Sequence, residues 1–235
     1  MRKLKAVLLL ALGLLPASRW KNRLLGMFGH QVHPSAQVDP VFLIKVDRLQ
    51  VGARTHIWSF SVFRDLRLAD IGADITIMRW NKFWALRGFR RAGAADPDMA
   101  GVLSLGDGVL ITKGHHLDCS GGFSMGEGSA IAGRDTLVYS HSYDPASHVL
   151  AAAPTRISAR SFIAARTTLA MGAMLPTGSV LAMGGVLMPG ATQTHMMYGG
   201  VPAKPLRNVG DWKMNEADSS DIRPKYQAKP DGASA

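Results

Sequence analysis

Ile157, Ile163, Leu169, Leu175, Leu181 and Leu187 stand at a strict six-residue interval. The hexads they open read ISARSF, IAARTT, LAMGAM, LPTGSV, LAMGGV and LMPGAT. Their fifth slot is always small: Ser161, Thr167, Ala173, Ser179, Gly185, Ala191. At ordinary aliphatic abundance such a run has a chance on the order of 1 in 10⁴. A period of six matches neither the roughly 3.6 of a helix nor the plain alternation of a strand. Hexad repetition instead marks a parallel β-helix, built from short strands and turns. Slot one stacks as an aliphatic ladder inside the coil, and small residues at slot five let the chain turn a corner. A single coil cannot bury its own face, so coils must stack.

The same phase runs upstream. Leu105, Ile111 and Leu117 keep it, as do Met125, Ile131 and Leu137 after a two-residue slip at Ser120–Gly122. Val51, Ile57, Phe63 and Ile71, Ile77, Phe83 form earlier coils, with Val32, Val38 and Ile44 as the expected first turn. The coil body is thus expected from Val32 to Val201. Two segments fall outside the phase. Leu86–Ala100 is basic and then Pro-containing, which predicts a protruding loop. Ser142–Thr155 is a second long interruption, and such loops in compact folds are usually functional.

DCSGG at Asp118–Gly122, YSHSYD at Tyr139–Asp144 and GGVPAKPLR at Gly199–Arg207 sharpen the pattern. With them, residues 32–207 resemble the hexapeptide-repeat (left-handed β-helix) acyltransferases, and among these the bacterial polysaccharide-associated O-acetyltransferases. The resemblance implies an all-β chain: a left-handed parallel β-helix with a short N-terminal helix and a long loop interrupting the coils. It divides the chain into an amphipathic helix at 1–30, a coil domain at 31–207 and a polar tail at 208–235. It also implies a homotrimer, acetyl-CoA or another acyl-CoA as donor substrate with no permanently bound cofactor, and a saccharide hydroxyl as acceptor.

Charge and cysteine usage bound the partners. The net charge is +10, which fits an anionic partner such as coenzyme A or a membrane surface. Nucleic acid is not expected, because no reading motif accompanies the charge. One cysteine, Cys119, excludes an intrachain disulfide framework and fits a reducing compartment. Met1–Lys5 is basic, and Ala6–Leu15 is an apolar run too short to span a bilayer. Arg19–Phe28 continues as a basic amphipathic stretch. The preferred reading is an uncleaved helix that packs on the coil end or lies on a membrane, in a cytoplasmic protein peripheral to the inner face. A signal peptide is the other reading.

The chemistry is expected where the repeat rule breaks. His115, Asp135 and His141 fill positions that should be small, and local rules fail most where function demands it. A coil of 20 residues would stack Asp135 over His115 and His141 over Gly121. Acyl transfer to a hydroxyl needs a base with a pKa near neutrality, and histidine supplies one. The resemblance assigns His141 as catalytic base. Asp144, three residues on, is its candidate orienting carboxylate. His115 and Asp135 are candidate acceptor contacts, and Lys204, Arg207 and Gly200 candidate donor contacts. No metal site is expected. Cys119 admits a thioester intermediate, although direct transfer makes it unnecessary. Two other classes stay open: a carbonic-anhydrase-like β-helix enzyme, which needs three converging histidines, and a non-catalytic scaffold.

Overall fold

The computed structural model of the chain describes residues 2–210. Short strands from Gln31 onward wind into a left-handed parallel β-helix with three faces. Two faces are seven-stranded sheets and the third is nine-stranded. The strand register stacks slot one into three interior columns. On the first face Val32, Val51, Ile71, Leu105, Met125, Ile157 and Leu175 lie in line. On the second, Val38, Ile57, Ile77, Ile111, Ile131, Ile163 and Leu181 do so and end on Tyr198. On the third the column is Leu43, Phe63, Phe83, Leu117, Val138, Leu169 and Leu187. Phe63 and Phe83 stack there with centroids 4.8 Å apart. Strand partners sit about 4.8 Å apart, so each side chain is covered from above and below.

Slot five is polar at most corners, whereas Ile75 and Val109 put buried aliphatic side chains there. Thr55, Ser61, Ser129, Ser161, Thr167 and Ser179 are buried, and their hydroxyls serve the corner carbonyls: Thr55 donates to Gly72 at 2.7 Å and Ser161 to Pro176 at 2.8 Å. A buried carbonyl without a donor is costly, which explains why hydroxyl residues outnumber alanine at these corners.

Two phases differ from the sequence expectation. The inward residue of the first coil is Leu43, not Ile44, and that of the fifth is Val138, not Leu137. The second difference matters more. Ile131 to Val138 takes seven residues, and this corner carries two left-handed residues, Gly133 at φ +74° and Asp135 at φ +62°. The two-residue widening seen before Met125 also recurs between Leu43 and Val51 and between Phe63 and Ile71. It adds a second inward column, Leu49, Ala69, Leu103 and Phe123.

The N-terminal segment forms two helices, α1 (Arg2–Gly13) and α2 (Arg19–Met27). They close the first end of the coil with Leu9, Leu12 and Leu25 buried. Ser18 caps α2 by accepting from the Lys21 N–H. Lys21 itself, a residue whose charge should favour solvent, is 1% exposed. Its Nζ lies 2.8–2.9 Å from the carbonyl oxygens of Gly13, Leu15, Val38 and Asp39. It bolts the helix pair to the coil, and burial pushes its pKa down to about 8. No helix among the described residues is long and apolar enough to cross a membrane. Of the tail expected at 208–235, Asn208 ends the last strand and Val209 is buried, and everything beyond residue 210 lies outside the described residues.

Candidate active site

Both interruptions of the repeat are ordered, and they meet. Ser142–Thr155 is mostly a hairpin, His141–Asp144 against Val149–Ala152. Leu86–Ala100 contains a 3₁₀ turn at Arg87–Arg90. Ala152 donates to the Gly93 carbonyl and accepts from the Ala95 N–H, while Phe89 packs with Ala100 and Ala152. The hairpin and the insertion thus share a small core outside the coil, and they cover the wide corner at Asp118–Gly122.

Under that cover lies Asp118, 0% exposed. It closes the strand His116–Asp118 and accepts four hydrogen bonds. Its Oδ1 takes the Ser120 N–H at 2.9 Å and the Ser120 hydroxyl at 2.5 Å. Its Oδ2 takes the Ser140 N–H at 2.8 Å and His141 Nδ1–H at 2.6 Å. Ser120 Oγ in turn accepts the Leu86 N–H, which anchors the start of the insertion. A buried carboxylate is tolerated only when paired and fully hydrogen-bonded, and this one is. Donation by Nδ1 fixes the imidazole tautomer, leaving Nε2 with its lone pair and no partner among the described residues. Trp84 approaches the ring edge-on at 5.7 Å and Phe89 lies 6.0 Å away. The side chain is 18% exposed. A ring held in place, walled by aromatics and open at one nitrogen is arranged to take a proton.

Asp118 was not expected in this role, although its motif was singled out. The carboxylate expected at His141 was Asp144, and the structure puts that residue elsewhere. Asp144 Oδ1 accepts the Ala146 N–H and Oδ2 the Ser147 hydroxyl, so it caps the hairpin turn. The Ser147 hydroxyl and the Ala146 N–H hold its pKa below the ordinary value.

The pairing of Asp135 with His115 is also corrected. The extra residue makes this coil step 21 residues, so His116 pairs with Leu137 and Asp135 lies over Gly114. His115 is 0% exposed. Its Nδ1 accepts the Thr136 N–H and its Nε2–H donates to Thr112 Oγ1. Burial pushes its pKa down to about 4. Both ring nitrogens are used inside the coil, which leaves none to grip an acceptor. Asp135 is exposed at the corner. Gly121 does face a neighbouring rung, but what fills its missing side chain is the backbone of Ser140 and Ala153 rather than the His141 ring.

A pH dependence follows from His115. An unfolded histidine protonates near 6.5, whereas His115 in the folded chain stays neutral to about pH 4. Between those values the unfolded state binds the extra proton, so stability falls as pH falls through this window, by up to about 3 kcal/mol. Urea denaturation at pH 7 and pH 4.5 should show a smaller acid loss for His115→Gln than for the unsubstituted chain. Equal acid losses would refute the assignment, and the cost of the substitution itself cancels between the two pH values.

Cys119 is fully buried, and burial with the neighbouring Asp118 charge raises its thiol pKa well above the ordinary value. That is the environment of an inert thiol, not a nucleophile. Lys204, Arg207 and Gly200 lie together on the hairpin that closes the coil, Met196–Gly200 against Ala203–Asn208. Gly200 takes φ +96° at its turn. No three His, Cys, Asp or Glu side chains among the described residues are placed to hold a metal ion.

Neither a family model nor a curated protein sequence matches the chain. Solved structures do. The polysialic acid O-acetyltransferase OatWY superposes with a TM-score of 0.58 at 13% identity, over 77% of this chain and 84% of that one. The hexapeptide-repeat acetyltransferase VCA0836 of Vibrio cholerae, solved with acetyl coenzyme A, gives 0.40 at 20% identity, over 46% of this chain and 60% of its own. A maltose O-acetyltransferase from Clostridium difficile 630 gives 0.41 at 12% identity, over 46% and 59%. The match therefore spans about three fifths of these last two chains. The fold is that of the hexapeptide-repeat acetyltransferases.

Proposed function

We propose that this chain is an O-acyltransferase that moves an acetyl or other short acyl group from acyl-CoA to a saccharide hydroxyl, with His141 as general base. The observation that carries this reading is the Nδ1–H contact of His141 to the buried Asp118 carboxylate, 2.6 Å long. Nε2 takes the hydroxyl proton as the acceptor oxygen attacks the thioester carbonyl. A C–O bond forms, and the tetrahedral intermediate carries an oxyanion that needs an N–H donor. Collapse breaks the C–S bond, and the imidazolium returns its proton to the departing thiolate. Asp118 keeps its hydrogen bond to Nδ1 and offsets the charge on the ring. Lys204 and Arg207, on the closing hairpin, are the cations we assign to the donor's phosphates. We place the working unit as a homotrimer, in which the half-exposed Tyr143, Val149 and Leu150 beside the site meet a neighbour.

The test is acetyl-CoA with a panel of saccharide acceptors, reading free thiol and product mass together. Product heavier by one acetyl group, formed with equal thiol release, is expected. Thiol release that no acceptor increases would overturn the reading. In the same assay Cys119→Ala should keep turnover within about threefold, because direct transfer asks nothing of the thiol. Loss of activity in a folded Cys119→Ala chain would support a covalent acyl intermediate instead.

We also infer peripheral binding to an anionic bilayer through the helix pair. Lys21 does not contribute, because it is turned inward. Trp20 and Met27, however, are 71% and 82% exposed, and Val7, Leu8, Leu14 and Leu15 are exposed too. Arg23 lies over the Trp20 ring at 5.5 Å, with Arg19 nearby in sequence. Each basic side chain near an anionic surface contributes about 1 kcal/mol. Flotation with phosphatidylserine-containing vesicles should carry the full chain, less so in high salt and less for Trp20→Ser with Met27→Ser. Equal flotation of both forms would count against it.

A further inference from the structure

Left-handed turn residues mark the corner between the first and second faces, at Arg54, Asp74, Gly108 and Gly128, and also the corner between the second and third faces. At the latter they are, on successive coils, Phe60, Trp80, Gly114 and Asp135, with φ between +62° and +79°. Glycine is the residue that tolerates this region, and a bulky side chain there is an outlier. Two consecutive coils nevertheless place aromatic rings at it. Phe60 and Trp80 stack one rung apart, centroids 4.8 Å and planes 27° from parallel. They are 40% and 58% exposed, so they form a wet aromatic shelf rather than core.

The preceding corner position carries charge. By the register of the strands that follow, Arg79, Lys113 and Arg134 stack on successive coils. All three are exposed, and among the described residues no carboxylate forms an ion pair with any of them. Arg79 instead lies over the Trp58 ring at 5.2 Å. Like charges directly opposite across strands are destabilising, and here three stand in a row, with Asp135 next to Arg134 in the chain. An anionic ligand lying along the corner would relieve that repulsion. The third face then leads from this corner to the dyad: Gly114 and Asp118 are four residues apart, about 13 Å along a strand.

We propose that this corner is a docking track for an anionic oligosaccharide, whose sugar rings rest on Phe60 and Trp80 and whose carboxylates meet Arg79, Lys113 and Arg134. It rests on the acyltransferase reading and narrows the acceptor to an acidic polymer rather than a monosaccharide. A sugar ring offers a C–H face to an aromatic shelf and hydroxyls or carboxylates to the flanking cations, which matches the order of side chains here.

The test uses hyaluronan oligosaccharides as acidic probes and maltooligosaccharides as neutral ones, with binding read by tryptophan fluorescence. Affinity for the acidic series should rise with chain length and fall with salt. Trp80→Ala should weaken it about tenfold, the scale of losing one aromatic contact. Lys113→Glu should weaken it and flatten its salt dependence, while the neutral series binds weakly to every form. Acetyl-CoA binding and acetyl-CoA hydrolysis should not change in either variant. Three results would overturn the proposal: acidic-probe affinity that ignores both substitutions, an equal loss of acetyl-CoA binding, or a change in mass by light scattering in Trp80→Ala, which would make the shelf a contact between copies. Because these readouts are of binding, they stand apart from the acyl-transfer assay: transfer failing with every acceptor sinks the enzymatic reading while leaving the track measurable.

Discussion

His141→Ala should lower kcat by about 10²–10⁴, the span expected for loss of a general base, while acyl-CoA affinity stays within about twofold. The reason is geometric. Nε2 is the ring nitrogen left open once Nδ1 is tied to Asp118, and the walls formed by Trp84 and Phe89 do not depend on it. Alanine removes the proton acceptor and leaves the cover of hairpin and insertion in place. His141→Asn keeps a polar side chain that cannot accept a proton, so it should be as slow as alanine. Single-turnover kinetics with radiolabelled acetyl-CoA separates the chemical step from binding. Turnover near the unsubstituted value in His141→Ala would end the role assigned to this residue, and it would favour the reading of the chain as a scaffold.

The hexad phase made most of the coil legible, because the interior columns need one aliphatic residue per strand and nothing else. It misplaced Leu43 and Val138 for one reason: periodicity sees the number of residues between hydrophobic positions, not which corner takes up an extra one. The Gly133–Asp135 turn takes it up, and that one-residue shift undid the expected stacking of Asp135 on His115. The site was half legible. His141 stood out as a break in the small-residue rule, whereas Asp118 did not, since the rule says nothing about the position after an inward leucine. Its burial comes from the insertion and the hairpin, two segments outside the repeat whose mutual contact is not periodic. The one signal available was the Asp-x-Ser spacing of Asp118 and Ser120, a turn in which the carboxylate meets its own backbone. Lys21 misled in the opposite direction. Its charge and neighbours read as a surface cation, and only the convergence of four carbonyls at the coil end turns it inward.

Asp118→Asn is the sharper probe of how the dyad works. The carboxylate accepts donors on both oxygens, two from Ser120 and one each from Ser140 and His141. An asparagine can keep its oxygen toward Ser120, and its NH₂ then faces two donors. The Ser140 N–H loses its acceptor, at a cost of about 1–3 kcal/mol. The His141 ring must accept at Nδ1 instead of donating, so its proton moves to Nε2. That tautomer presents an N–H where the mechanism needs a lone pair. We expect kcat to fall by about 10²–10⁴, within the range for losing general-base catalysis, in protein that still folds with a lower urea midpoint. A purely structural role for Asp118 would reduce activity and stability by the same route in any background. A positioning role predicts a different pattern, because groups that act as a unit are not additive. In the His141→Ala background, Asp118→Asn should cost little further turnover while its stability loss persists. If the two substitutions multiply in kcat, Asp118 does not act through His141, and the tautomer account is wrong.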